Sequence, residues 1–320
     1  MPMTDIHENG AEGAAACWQG FGAHVHETQV RLSEVNAATR LYALVDTRGL
    51  SDLRNALSRL EVIQFEALWD ETDLSAHKDI SPLLIAIDVN ASVPDIPLQL
   101  LERLWQFSQD DFVVTWIWSS YGLPELTRHF RAHCEYRLED RRAFYLHYYD
   151  NRILEWLRDV WTPEEQHRFA SVAFEIWHRK RTGGECVWRE AEPQRPQCTL
   201  TLEMTNEQHL ALLALGIPDK LALQLRELLG GRLAHLSAEA LYQVVRDQME
   251  RAARYRIRDE GDMLQYVSKG LLVARRFDEH PLIQHQLTLA SSGDIPFADV
   301  LSKVNDEFVE TLATRRLTRI

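Results

Sequence analysis

From Leu41 onward the chain alternates short apolar runs with stretches whose apolar residues recur at helical spacing. Leu41 to Val45 is followed by Leu50, Leu53, Leu57 and Leu60, and Leu83 to Ile87 by Leu98, Leu101, Leu104 and Trp105. Phe112 to Trp118 precedes Leu123, Leu126 and Phe130, and Phe144 to Tyr149 precedes Ile153, Leu154 and Leu157. Apolar runs separated by helical periods predict a sheet covered by helices, and the fold class expected here is an α/β lobe with a mostly parallel sheet. Along Phe112 to Trp118 both alternating faces are bulky, which places that strand near the centre of the sheet.

Beyond Asp150 the local signals sharpen. Thr162, Pro163 and Glu165 spell a capping box with proline in the first turn, so a helix starts at Pro163. Val172 to His178 and Glu185 to Arg189 read as strands joined through Thr182, Gly183 and Gly184, an edge hairpin. Pro193 and Pro196 mark a linker, after which the texture becomes almost purely helical. Thr205 with Gln208 forms a second capping box, Pro218 and Pro281 fit helix starts, and Leu241, Val244, Val245, Gln248, Ala252 and Tyr255 keep a helical period. The expected organisation is a loose leader over residues 1–38, the α/β lobe over 39–192, a linker over 193–198, and an all-α lobe of five or six helices over 199–320.

Charge narrows the partners. The 320 residues are 45% hydrophobic and carry 48 acidic against 35 basic side chains, for a net charge of -13. That hydrophobic content excludes a wholly disordered chain. Nucleic acid and anionic membrane reward clustered Lys and Arg, so neither is expected as a partner. The acidity is concentrated in the first region, with 31 acids and 20 bases before residue 199. Cys17, Cys134, Cys186 and Cys198 form no CxxC pair, and no signal-like or membrane-spanning run is present, which reads as free thiols in the cytoplasm.

Three aspartates, Asp46, Asp88 and Asp150, close apolar runs. On parallel strands they would gather at the carboxyl edge of the sheet, where magnesium could be held for a hydrolase; the competing reading is helix capping. His129 and His133 share helical spacing but lack the glutamate of a zinc motif, so a solvated helix face is expected. His24 and His26 fall in the weakly ordered leader. Ser119 and Ser120 follow an apolar run without the glycines of a nucleophile elbow, and Gly183-Gly184 and Gly230-Gly231 lack a phosphate-loop lysine. The basic run from His178 to Arg181 reads as a solvated loop tip.

The order of motifs carries more information than any one of them. Tyr42-Ala43-Leu44-Val45-Asp46, then Ser81-Pro82-Leu83-Leu84, then Ser119 and Ser120 ahead of a helix at Leu126 to Arg131, then Tyr149-Asp150-Asn151-Arg152 and the helix at Pro163 resemble the family known as domain of unknown function 4123. The resemblance covers Leu41 to Arg179. It implies an adaptor chaperone of the bacterial type VI secretion system, which binds a toxic effector in the cytoplasm and loads it onto the valine-glycine repeat spike protein, with no catalysis and no cofactor. Asp46, Tyr149, Asp150 and Arg152 are its motif residues here. The family's usual Tyr-Asp-Pro-Arg has Asn151 in place of proline, a change expected to loosen the backbone. Asp150 is expected to cap a helix, with Arg152 reaching Asp46 or Asp88.

Two functions are thus expected to compete: a non-enzymatic effector chaperone and a magnesium-dependent hydrolase using Asp46, Asp88 and Asp150. For the chaperone, the helix read over Met263 to Phe277 carries two apolar rows. One, with Leu264 and Val267, serves the bundle; the other, Tyr266, Val273 and Phe277, is the candidate effector-binding row or packs on the first lobe.

Overall fold

The structure, a computed structural model, describes residues 17–50, 52–90, 95–196 and 202–304. The chain divides into two compact units, Met1–Leu212 and Leu213–Ile320.

The first unit is built on a six-stranded sheet. Its strands are β1 (Arg40–Val45), β2 (Phe65–Ala67), β3 (Leu83–Ile87), β4 (Val114–Ser119), β7 (Glu175–Arg179) and β8 (Glu185–Arg189), in the order β2-β3-β1-β4-β7-β8. Between β4 and β7 in the chain lie β5 (Glu135–Arg137) and β6 (Ala143–Tyr145), which form a small second sheet with β9 (Leu202–Glu203). Every pairing in the large sheet is antiparallel. This corrects the mostly parallel sheet expected from the sequence. The apolar runs report burial of both faces, which parallel sheets usually show, but they carry no information on strand direction.

Both faces are covered. On one, Leu41, Ala43 and Val45 of β1 and Trp116 and Trp118 of β4 pack with α1 (Trp18–Val35), α2 (Leu53–Leu57) and α3 (Ile96–Asp110). On the other, Tyr42, Leu44 and Ile117 meet α4 (Leu123–Ala132), α5 (Asn151–Val160) and α6 (Pro163–Ala170) through Leu126, Phe130, Leu154, Leu157 and Phe169. Strand β4 is interior to the sheet and buried along its length, as its two bulky faces predicted. The hairpin also forms as read, with Gly183 at φ +84° and Gly184 at φ +75°, backbone that a β-carbon would strain. Helix α6 begins at Pro163 with its capping box closed: Thr162 N–H donates to Glu165 at 2.7 Å, and Glu165 N–H donates to Thr162 Oγ1 at 3.3 Å.

Two boundaries differ from expectation. The described part of the 1–38 leader is not loose, because α1 buries Phe21, Val25 and Leu32 on the sheet and stacks His24 on Trp177 at 4.5 Å. Apolar residues spaced at four and seven along a Gly- and Ala-rich segment give a weak pattern, and the sheet surface supplies the rest of the stability. The division between units falls at Leu212, not at 193–198. Residues 197 and 198 lie outside the described residues, but Gln194 N–H donates to Ser171 O at 2.6 Å and Tyr121 Oη to Pro193 O at 3.4 Å. Strand β9 then pairs with β5, and His209, early in α7 (Asn206–Leu229), meets Tyr136 Oη at 2.7 Å. Prolines mark an irregular backbone; they do not mark an untethered one.

The second unit holds the rest of α7 with α8 (Ala238–Ala253), α9 (Glu260–Leu272), α10 (Pro281–Ser292) and α11 (Phe297–Ser302). The periodic row of α8 is buried as predicted, including Leu241, Val245 and Ala252. Pro281 starts α10, whereas Pro218 sits inside α7, where its ring is buried. Among the described residues no helix is long and apolar enough to cross a membrane.

Candidate functional site

The antiparallel sheet decides which aspartates meet. Val45 lies opposite Leu83, so Asp46 and Asp88 follow strands that end at opposite edges. Asp88 is exposed and its Oδ1 accepts from Asn90 N–H at 3.0 Å, a local turn contact. The three-carboxylate constellation expected at one sheet edge does not exist.

Asp46 and Asp150 do come together. Asp46 N–H donates to Val113 O at 2.8 Å beside the start of β4, and Asn151 N–H donates to Phe112 O at 2.9 Å, which docks the N-terminus of α5 on the same edge. Each aspartate is 3–4% exposed and each is followed two residues later by arginine. Asp46 Oδ1 accepts from the Arg48 backbone N–H at 3.0 Å and from its Nε at 3.0 Å. Asp150 Oδ1 repeats this with Arg152, at 3.0 Å from its N–H and 2.9 Å from its Nε, while Arg152 Nη2 reaches Oδ2 at 2.7 Å. Arg48 Nη2 then crosses to Asp150 Oδ2 at 3.1 Å and links the two motifs.

The result is a charge-balanced quartet with forked guanidinium contacts, the geometry that makes such pairs strong. Burial pushes the Asp150 carboxyl up, but the hydrogen bonds and charge of Arg152, with Arg48 behind them, outweigh it and hold the group below its ordinary range. Tyr149 lies beneath, its ring 5.6 Å from the Arg48 guanidinium carbon and its hydroxyl bonded to His147 Nδ1. Burial, then the Arg48 charge, lowers the His147 pKa, so the imidazole stays neutral in this setting.

Asp46, Tyr149, Asp150 and Arg152 share one neighbourhood, but the bridge expected from Arg152 is made by Arg48. Arg152 returns to Asp150, and Arg48 spans the gap. The signal was the repeated Asp-x-Arg spacing, although that spacing alone is not specific: Asp140 and Arg142 make the same turn on the surface, at 3.1 and 2.7 Å. Asn151 was misjudged too. Its side chain is fully buried, accepting from Thr115 Oγ1 at 2.7 Å and donating from Nδ2 to Val114 O at 2.8 Å. Asparagine here stitches α5 to the central strand, and its backbone N–H makes a bond that proline cannot.

Residues 41–168 match the family described as Domain of unknown function (DUF4123). Over that stretch the chain is similar to the DUF4123 family. The match runs from β1 into α6, somewhat short of the Arg179 limit expected from the motifs, and the matched stretch therefore contains the whole quartet. No curated protein and no solved structure matches the chain.

Other candidates resolve into packing. Ser119 Oγ donates to Val172 O at 2.6 Å and accepts from Tyr121 N–H at 3.1 Å, so it is spent on loop closure. Among the described residues no three His, Cys, Asp or Glu side chains gather as a metal site. Tyr266 and Phe277, offered above as an effector-binding row, are 0% and 1% exposed and pack on each other at 4.9 Å within the second unit's own core, with Val273 half-buried against them. Helix α9 ends at Leu272, which turns Phe277 inward through a short 3-10 segment.

His129 and His133 are buried, not solvated as expected. His129 Nε2 lies 3.0 Å from Phe169 O and His133 Nδ1 lies 2.9 Å from His129 O, so both rings donate to carbonyls as neutral imidazoles. Burial, reinforced by the neighbouring His133, brings His129 from 6.5 to about 3; burial, partly opposed by the bond to the His129 carbonyl, brings His133 to about 4. Both folded values lie below the unfolded one, so the unfolded chain binds more protons as pH falls. Stability is therefore full above pH 6.5 and declines toward pH 4, by up to about 1.4 kcal/mol per pH unit for each histidine. Thermal melts across that range are expected to show the decline, and a His129→Gln, His133→Asn chain a shallower one; equal slopes would contradict it.

Proposed function

We propose that this chain is a non-enzymatic adaptor chaperone that binds a type VI secretion effector in the cytoplasm and loads it onto the valine-glycine repeat spike protein. The observation that carries this reading is the saturated quartet inside the stretch similar to DUF4123. Asp46 and Asp150 are engaged by backbone N–H groups and guanidinium donors, which suits a tie between β1 and α5 better than metal binding or proton transfer. The order of motifs supplies the partner class. A surface suited to a protein partner is present on α7, where Leu213, Ile217 and Leu228 share one side and are exposed, the sort of aliphatic anchors from which helical capture draws its energy.

Deletion of the gene in its own bacterium tests the reading. Secretion of one toxin through the type VI apparatus is expected to stop while the spike is still released, and a plasmid copy of the gene is expected to restore it. Unchanged secretion of every toxin overturns the proposal.

A further inference from the structure

Strand β8 closes one edge of the six-stranded sheet. The backbone bonds Lys180 N–H to Gly184 O and Glu190 N–H to Phe174 O set the phase of the β7–β8 ladder. Alternate residues Cys186 and Trp188 face β7, and Glu185, Val187 and Arg189 turn their N–H and C=O groups outward. Among the described residues these outward groups have no backbone partner. The strand carries no proline, lysine or bulge of the kind that blunts natural sheet edges. The opposite edge, β2, offers only three residues.

The side chains of the same three residues lie together on one face of the sheet, beside Trp177 and Glu175 of β7. Glu185 is half-buried, and among the described residues its carboxylate makes no hydrogen bond or ion pair. Arg189 touches Glu175 Oε1 through Nε at 3.2 Å, yet its side chain is 63% exposed, and among the described residues its terminal nitrogens make no ion pair.

We propose that a second copy of this chain docks antiparallel on β8, about a two-fold axis through Val187, so that the two sheets join into one. In that register Glu185 faces Arg189 of the partner subunit, Arg189 faces the partner's Glu185, and Val187 faces its own counterpart. The strand is thus complementary to itself in charge, which an isologous interface requires and which an arbitrary partner strand would not match. All three outward residues exchange N–H and C=O bonds in this pairing. Burial, and after it the charge of Glu175, raises the Glu185 carboxyl to about 7, against the lowering charge of Arg189 in its own chain. The inference stands independently of the chaperone reading.

Sedimentation of the full chain over a concentration series tests it. The wild-type chain is expected to dimerise, and Glu185→Arg, which sets like charges opposite each other twice, to weaken the dimer at least about tenfold. Combining Glu185→Arg with Arg189→Glu is expected to restore it. Val187→Pro removes one outward N–H without touching the bonds to β7 and is expected to weaken it as well. Circular dichroism checks the fold of each variant, and the charge exchange decides alone if the proline variant unfolds. A wild-type monomer at every concentration, a dimer indifferent to Glu185→Arg, or failure of the double exchange to restore association overturns the proposal.

Discussion

Asn151→Pro, which installs the residue of the usual family pattern, is expected to lower stability by about 3 to 5 kcal/mol. Proline is favoured in the first turn of a helix, and elsewhere the change would stiffen the unfolded chain by at most about 1 kcal/mol in the protein's favour. Here it removes the N–H bond to Phe112 O and both side-chain bonds that tie Thr115 Oγ1 and the Val114 carbonyl to α5. For a unit of this size the melting temperature is expected to fall by roughly 10 °C. Asn151→Ala keeps the backbone bond and should lose less, so the difference between the two melts measures that bond. A melting temperature that rises with proline would show that backbone stiffness outweighs the anchor.

Phe277→Ala should act in the second unit. The ring is 1% exposed, packs against Tyr266 and shares a core cluster with Ile283, Leu287 and Val300, so truncation removes a large apolar contact and leaves a cavity worth about 3 to 5 kcal/mol. Amide hydrogen exchange in α8 and α9 is expected to accelerate by about a hundredfold or more. Lost effector binding by such a variant would therefore report a damaged core. Unchanged exchange would mean that the ring is dispensable to packing and would reopen the row to partners.

The width of the apolar surface around Tyr266 and Phe277 was legible, but the choice between a partner and the first lobe was left open, and the second unit's own core covers the row. What covers it was not legible, since amphipathic width counts buried faces without naming their neighbours. The Asp-x-Arg motifs were equally visible, but an identical spacing at Asp140 lies on the surface, where ion pairs contribute little. Only burial separates the quartet from that decoy.

By itself the sequence determined the local events: the capping boxes at Thr162 and Thr205, the Gly183-Gly184 hairpin, the periodic helix at Leu241 and the two-faced burial of β4. Each of these is specified within a few residues by backbone stereochemistry or side-chain period. The tertiary structure decided the direction of the strands, the separation of Asp88 from Asp46 and the choice of Arg48 as the bridge to Asp150. An apolar run is the same read in either direction, and a carboxylate selects its cation only after packing has excluded water and lowered the local dielectric. Those choices belong to elements far apart in the chain, up to 102 residues for Arg48 and Asp150, and no local pattern contains them.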